Sequence, residues 1–261
     1  MRLWRLAAAV LLLAGSPVGP ARADADVLWR LVHDQCVPDM VRTSDPAPCA
    51  AVDLAAGEQR GYAVVKDSEG PRQFLVIPTA RIPGMESPAL LDPATVNYFA
   101  IAWRVRSFTE AAAGGVLPRD WVSLAVNSAV ARTQDQLHIH IDCLRSDVHD
   151  AVARYGAAVG PVWAPFPVPL AGENYQAVAL DGADLDDYNP FLMLAAGLPG
   201  ARADMGSHTL VVVGTDRVGH GPGFLILAAR VNDGETPIGG EDLQDHQACP
   251  PPLPAGPATA K

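Results

Sequence analysis

The amino-acid sequence predicts an α+β fold, an antiparallel sheet with flanking helices, and three observations carry that prediction. Short apolar, β-branched runs come in pairs separated by turn-forming residues, 61–66 with 73–78 and 208–214 with 223–231, and such pairs read as hairpins. Polar and apolar residues alternate through Gln136, Leu137, His138, Ile139, His140, Ile141, Asp142 and Cys143, the period of a strand with two different faces. Helical patterns fall between strand pairs rather than after every strand, which suits an antiparallel sheet better than a repeating βαβ arrangement.

Residues 1–23 carry Arg2 and Arg5, an apolar run at 6–14 and the small-residue stretch Ala21-Arg22-Ala23. They read as a signal peptide cleaved after Ala23 or Ala25, with an uncleaved N-terminal anchor as the alternative. The run is shorter than the roughly 20 residues that span a bilayer. Asp26 caps a short helix with Val27, Leu28, Leu31 and Val32 on one face, and 38–59 is loop-like. The first hairpin turns through Asp67-Ser68-Glu69-Gly70-Pro71. Asp92-Pro93 then opens a helix of about 20 residues that buries Val96, Phe99, Ala100 and Trp103 and ends at Gly114-Gly115.

A strand at 121–127, a loop at 128–133 and the histidine strand follow. Ser146 caps a helix with Val148, Ala151, Val152 and Tyr155 on one face. A Pro/Gly-rich connection at 160–172 leads to a strand at 175–180, and Asn189-Pro190 opens a short helix ending near Gly197. After the second hairpin, the Pro/Ala-rich tail 250–261 is expected to be disordered. One folded domain over 24–249 results, and its two similar hairpins leave room for a degenerate duplication.

With 49% hydrophobic and 18% charged residues, the chain has ample material for a core. Its formal charge of −10, more negative still once Arg2, Arg5 and Arg22 are removed, is a poor match to nucleic acid or anionic lipid. An anionic substrate must be held by local donors. Cys36, Cys49, Cys143 and Cys249 are an even set in an exported chain, where disulfides are the default. Three pairings are open; the favoured one joins Cys36 to Cys49 across a short loop and ties Cys143, at the end of the histidine strand, to Cys249. Dinucleotide, phosphate-loop, nucleophile-elbow and zincin motifs are all missing from the sequence.

His138 and His140, two residues apart on one strand face, can ligate a metal, act in catalysis or be surface residues without a role. Asp142, His208, His220 and His246 are further candidate ligands, but none stands at a spacing that predicts convergence. Neighbours narrow the choice. Asn127 ends one strand, Gln134 precedes the next and the histidines follow at set intervals, so that Asn127, Gln134, His138 and His140 resemble the signature of the histidine-triad (HIT) superfamily of nucleotide hydrolases and transferases. The upstream QFLVIP (73–78) resembles the strand before that superfamily's long helix.

Within the superfamily, the chain is most similar to the bacterial CDP-diacylglycerol pyrophosphatases. The similarity runs from Cys36 and Pro48-Cys49 through ARIPGMESP (80–88), VSLAVNS, RTQ and HIHI to Met205-Gly206-Ser207 with His208, and to QDHQ (244–247). This resemblance implies a HIT-like sheet that one chain duplicates within itself. It implies hydrolysis of CDP-diacylglycerol to CMP and phosphatidic acid through a nucleotidyl-histidine, with no cofactor or metal. It further implies a periplasmic monomer or pseudo-dimer that takes its substrate from the membrane surface. The middle histidine, the nucleophile, falls on His140 and the first on His138. The third position is Asp142, a departure, because a carboxylate donates a proton near neutral pH only if its pKa is raised. A second register, Gln136, His138, His140, makes His138 the nucleophile but misplaces Asn127 and Gln134. Asn127, Gln134, Asp142, Arg132, His246 and His208 are the expected substrate contacts, with Arg81 a further candidate and Met85, Leu90, Leu91 or residues 163–170 as a border for the lipid. Two other readings stay open: a metal-dependent phosphoesterase using His138, His140 and Asp142, and a non-enzymatic nucleotide-binding protein.

Overall fold

The computed structural model describes residues 24–217, 221–231 and 239–254; the expected leader and most of the C-terminal tail lie outside the described residues. Among the described residues, nine strands form one antiparallel sheet: β1 (Ala51–Asp53), β2 (Tyr62–Lys66), β3 (Phe74–Pro78), β4 (Val122–Val126), β5 (Ile139–Cys143), β6 (Ala164–Pro165), β7 (Gln176–Asp181), β8 (His208–Arg217) and β9 (Gly221–Arg230). Their spatial order is β1-β2-β3-β5-β4-β8-β9-β7-β6. Both predicted hairpins form, with Val64 opposite Val76 in one and Val212 opposite Ile226 in the other.

The sheet is buried on both faces, which the alternation in the histidine strand did not foretell. On one face Val76, Ile139, Ile141, Leu124, Leu210 and Val212 meet helices α3 and α6, described below. Each such buried aliphatic or aromatic side chain contributes roughly 1.5–3 kcal/mol. The other face carries two apolar patches. Ala63, Val65, Leu75 and Ile77 lie under the N-terminal helical segment, which runs as α1 (Val27–Arg30), a π-helical turn over Leu31–Cys36 and α2 (Val37–Thr43). Ala125, Val211, Val213, Leu225 and Leu227 lie under the C-terminal half's cover, including Val148 and Val152. Between these patches, over β5, the face turns polar.

The long helix predicted from Asp92 is shorter and broken. Asp92 instead accepts from the Ala94 N–H in a tight turn (2.8 Å), and Asn97 caps α3 (Tyr98–Val105) by accepting from Ala100 N–H. A second piece, α4 (Ser107–Ala112), follows Arg106, whose guanidinium bonds the Trp103 carbonyl at the break (2.6 Å). Helices α5 (Ser146–Tyr155) and α6 (Pro190–Gly197) stand where expected, α6 capped by Asn189; Ser146 is the first helical residue of α5 rather than its cap, which is Arg145 without a side-chain bond. The segment read as loop at 38–59 holds instead the end of the N-terminal helical segment and β1. Cys36–Cys49 and Cys143–Cys249 are both disulfides, as favoured, and fit an exported protein. No helix among the described residues is long and apolar enough to cross a membrane. Met85 and Leu90 are core residues rather than a lipid border, and Leu253 N–H bonds back to the Val116 carbonyl (2.7 Å).

Candidate active site

Strand β5 and the residue before it put His138, His140 and Asp142 on the polar part of the sheet face, at 7%, 5% and 1% exposure. Such burial forces each ring nitrogen and carboxylate oxygen to find a partner or remain costly. His138 Nδ1–H donates to the Gln136 carbonyl (2.6 Å). Because a carbonyl only accepts, that contact puts the proton on Nδ1 and leaves the lone pair on Nε2. At His140 Nδ1 the Gln73 amide nitrogen lies 3.0 Å away and Glu241 Oε2 3.2 Å away. The Gln73 oxygen is unpartnered among the described residues, so turning the amide over gives Nδ1 two acceptors and favours the same tautomer as in His138. His140 Nε2 is buried without a hydrogen-bond partner among the described residues. The two rings meet edge to face, with centroids 4.9 Å apart.

Asn127 belongs to this network through Glu241. Its Nδ2 donates to Glu241 Oε1 (2.8 Å) and its Oδ1 accepts from Glu241 N–H (3.4 Å). Asn127 therefore aims the carboxylate that orients His140. Gln244 braces the same strand by donating to Ser123 Oγ (3.0 Å) and to the carbonyls of Ser123 and His140. Asp142 receives Cys143 N–H on Oδ1 (2.8 Å) and His246 Nδ1–H on Oδ2 (2.9 Å).

Burial pushes both strand histidines below the ordinary histidine value, His138 to about 4 with the neighbouring His140 adding to the effect. Both are neutral imidazoles at neutral pH. Burial raises the Asp142 carboxyl despite its two donors. His246, half-buried, is raised above the ordinary histidine value, because the hydrogen bond to Asp142 holds its proton. The site thus separates its histidines into two neutral rings and one that favours the cation.

The remaining expected residues divide. Arg132 and Gln136 line a narrow cleft with Asn127 and His138. Arg132 is already paired there, bidentate to Glu86 (2.7 Å to each oxygen) and bonded to Asp135. Gln136 is consumed by backbone, donating to the Pro78 and Ala80 carbonyls and accepting from Ile82 N–H. Gln134 is bonded elsewhere, to the Asp24 carbonyl and Leu28 N–H at the start of the N-terminal helix. Arg81 pairs with Asp26. His208 alternates with Leu210 and Val212 on the helix-covered face and donates Nδ1–H to the Asp204 carbonyl (2.9 Å), so the sheet separates it from His140. Among the described residues, the metal-type donor atoms that converge are those of Asp142, Cys143 and Cys249, and both sulfurs are spent in the disulfide. His138, His140 and Asp142 are not brought together as such a donor set among the described residues.

Sequence reading missed Gln73, Glu241 and Asp67, whose Oδ2 lies 3.8 Å from His140 Nδ1. Gln73 immediately precedes β3 and Gln244 opens QDHQ, so both lay in stretches already singled out; Asp67, in the β2–β3 turn, and Glu241, in a short 3-10 helix, carried no signal. A larger cavity of about 340 Å³, between Asp120, His149, Val152, Thr215 and Phe224, shares no lining residue with this site.

Fold and site together define a disulfide-bonded α+β protein with a buried histidine–carboxylate centre on one sheet face, an arrangement suited to nucleophilic and acid–base chemistry. Sequence comparison makes this specific. The profile of the CDP-diacylglycerol pyrophosphatase family matches residues 23–250, and a CDP-diacylglycerol pyrophosphatase of Yersinia pestis is 39% identical over 238 residues, covering 91% of this chain and 89% of that protein. The chain belongs to the CDP-diacylglycerol pyrophosphatase family.

Proposed function

We propose that the protein hydrolyses the diphosphate of CDP-diacylglycerol, releasing CMP and phosphatidic acid, with His140 as nucleophile. Family membership supports the substrate. The observation that carries the mechanism is His140 itself: Nδ1 beside the Glu241 carboxylate, Nε2 buried and without a partner among the described residues, and the ring neutral. A neutral imidazole whose lone pair is the one free valence is a competent nucleophile near neutral pH. Nε2 attacks the cytidylyl phosphorus, the bond to the bridging oxygen breaks, and water later cleaves the cytidylyl-histidine. As the ring gains positive charge it strengthens the Nδ1–H bond to Glu241, which is held in turn by Asn127. His138 lies beside it, at the narrow cleft.

The same reading treats the fold as HIT-like, with one chain supplying both halves of a paired sheet. The order β2-β3-β5-β4 on one side of the β4–β8 junction is mirrored by β6-β7-β9-β8 on the other, with α3 and α6 in matching places. On β9, the counterpart of β5, the matching face carries Leu225, Leu227 and Ala229, so a single site results. The location proposed is the periplasm, with substrate drawn from the membrane surface.

Purified protein given CDP-diacylglycerol in detergent, with chelator present, should release CMP. An acid-quenched sample should carry a CMP adduct that maps to His140. Turnover that persists after His140→Ala would remove the assigned nucleophile, with the adduct on His138 pointing to the second register. Absence of CMP from the wild type would remove the substrate, and tight cytidine diphosphate binding without turnover would leave a binding protein.

A further inference from the structure

Strand β5 carries Asp142 two residues past His140 on the same face, and the chain returns from its far end to place a histidine on that carboxylate. The return is tightly built. Leu144 bridges Gln244, Asp245 N–H bonds the Cys143 carbonyl (2.9 Å), and the Cys143–Cys249 disulfide closes the segment three residues beyond His246. From the other side Gly70, at φ +62°, brings the β2–β3 turn so close to the His246 backbone that a side chain there would collide with it. Arg72 bonds the Gln247 carbonyl (2.9 Å).

We infer that His246, held by Asp142, is the proton donor to the departing phosphatidate oxygen and the acceptor of the proton from water in the second step. The inference rests on the hydrolase reading above. Since Nδ1–H is bonded to Asp142 Oδ2, the transferable proton is on Nε2. In the first step the His140 Nε2–phosphorus bond forms, the phosphorus–bridging oxygen bond breaks, and that oxygen's electron pair takes the proton from His246. In the second, water bonds phosphorus as its proton returns to His246 Nε2, and the phosphorus–nitrogen bond breaks to restore neutral His140. Neither strand histidine can serve, since both are neutral.

The charged groups around His246 agree on sign. Asp142 from β5, Asp67 from the β2–β3 turn and Glu241 from the turn before the C-terminal segment all favour its cation; Asp245 acts on Asp142, and His140 is the neighbouring base. A cation at this point also offsets the carboxylates facing an anionic substrate.

The test compares CDP-diacylglycerol with a dinitrophenyl ester of CMP, whose leaving group is acidic enough to depart without a proton. His246→Ala should lower turnover of CDP-diacylglycerol by about 10²–10⁴-fold, lower formation of the CMP adduct from the dinitrophenyl ester less than about 10-fold, and abolish the alkaline limb of the pH profile. Asp142→Asn, which keeps the shape of the carboxylate, should move that limb to lower pH. Equal loss on both substrates, wild-type turnover in His246→Ala, or an unmoved limb in Asp142→Asn would overturn the role of His246 while the hydrolase reading stands. A wild type that forms neither CMP nor adduct would overturn both.

Discussion

His140 is a neutral ring because burial outweighs the nearby carboxylates, and the proposed mechanism has its direction set through Glu241 and then Asn127. Glu241→Gln retains an acceptor but removes the charge that balances the ring as it becomes cationic, so kcat should fall about 10–100-fold with KM nearly unchanged. Gln134 offers the contrast. Its bonds run to Asp24 and Leu28 rather than to the histidines, so Gln134→Ala should change kcat/KM less than about 3-fold while lowering the melting temperature slightly. The strand histidines also set the acid stability. Their folded-state pKa values lie below the unfolded value of about 6.5, so between that pH and about 4 the unfolded chain binds more protons and stability falls as the pH is lowered. Thermal melts from pH 7 to 4.5 should show this loss, and the His138→Gln, His140→Gln double variant should flatten it.

At the scale of elements, the C-terminal segment is the one whose position matters most. Cys143–Cys249 closes a separation of 106 residues, and removing a bridge over so long a loop costs about 2–5 kcal/mol. A Cys143→Ala, Cys249→Ala double variant should therefore melt at lower temperature. It should also lose kcat more than KM, because the tether that fixes His246 against Asp142 is gone; urea unfolding and steady-state kinetics measure the two effects separately. The element pattern was legible in the sequence wherever periodicity and caps agreed, as in both hairpins and in Asn189-Pro190 before α6. It failed at Asp92, where an Asx turn and a helix cap share one signature and only the hydrogen bond to Ala94 distinguishes them.

For the whole molecule, the described residues of one chain form a nine-stranded sheet, and the proposal of one histidine site per chain predicts a monomer by light scattering and no more than one trapped CMP per chain. The formal charge of −10 predicts that turnover of substrate in anionic mixed micelles is slower than in zwitterionic ones, with the gap closing as salt screens the repulsion.

The α+β class, the hairpins, the expectation of disulfides and the pair His138 and His140 were legible in the sequence, because strand period, turn chemistry and cysteine count are local or nearly local properties; which cysteines pair was favoured there and settled by the fold. The sequence also placed Asn127 and His246 among the candidates. Their partners came from the folded chain: Glu241, held by Asn127, lies beside His140, Gln134 and His208 bond away from that ring, and Asp142 is joined by His246 from 104 positions further along the chain. Those contacts depend on which face a strand turns inward and where a disulfide brings the chain back, and no local pattern of residues encodes either.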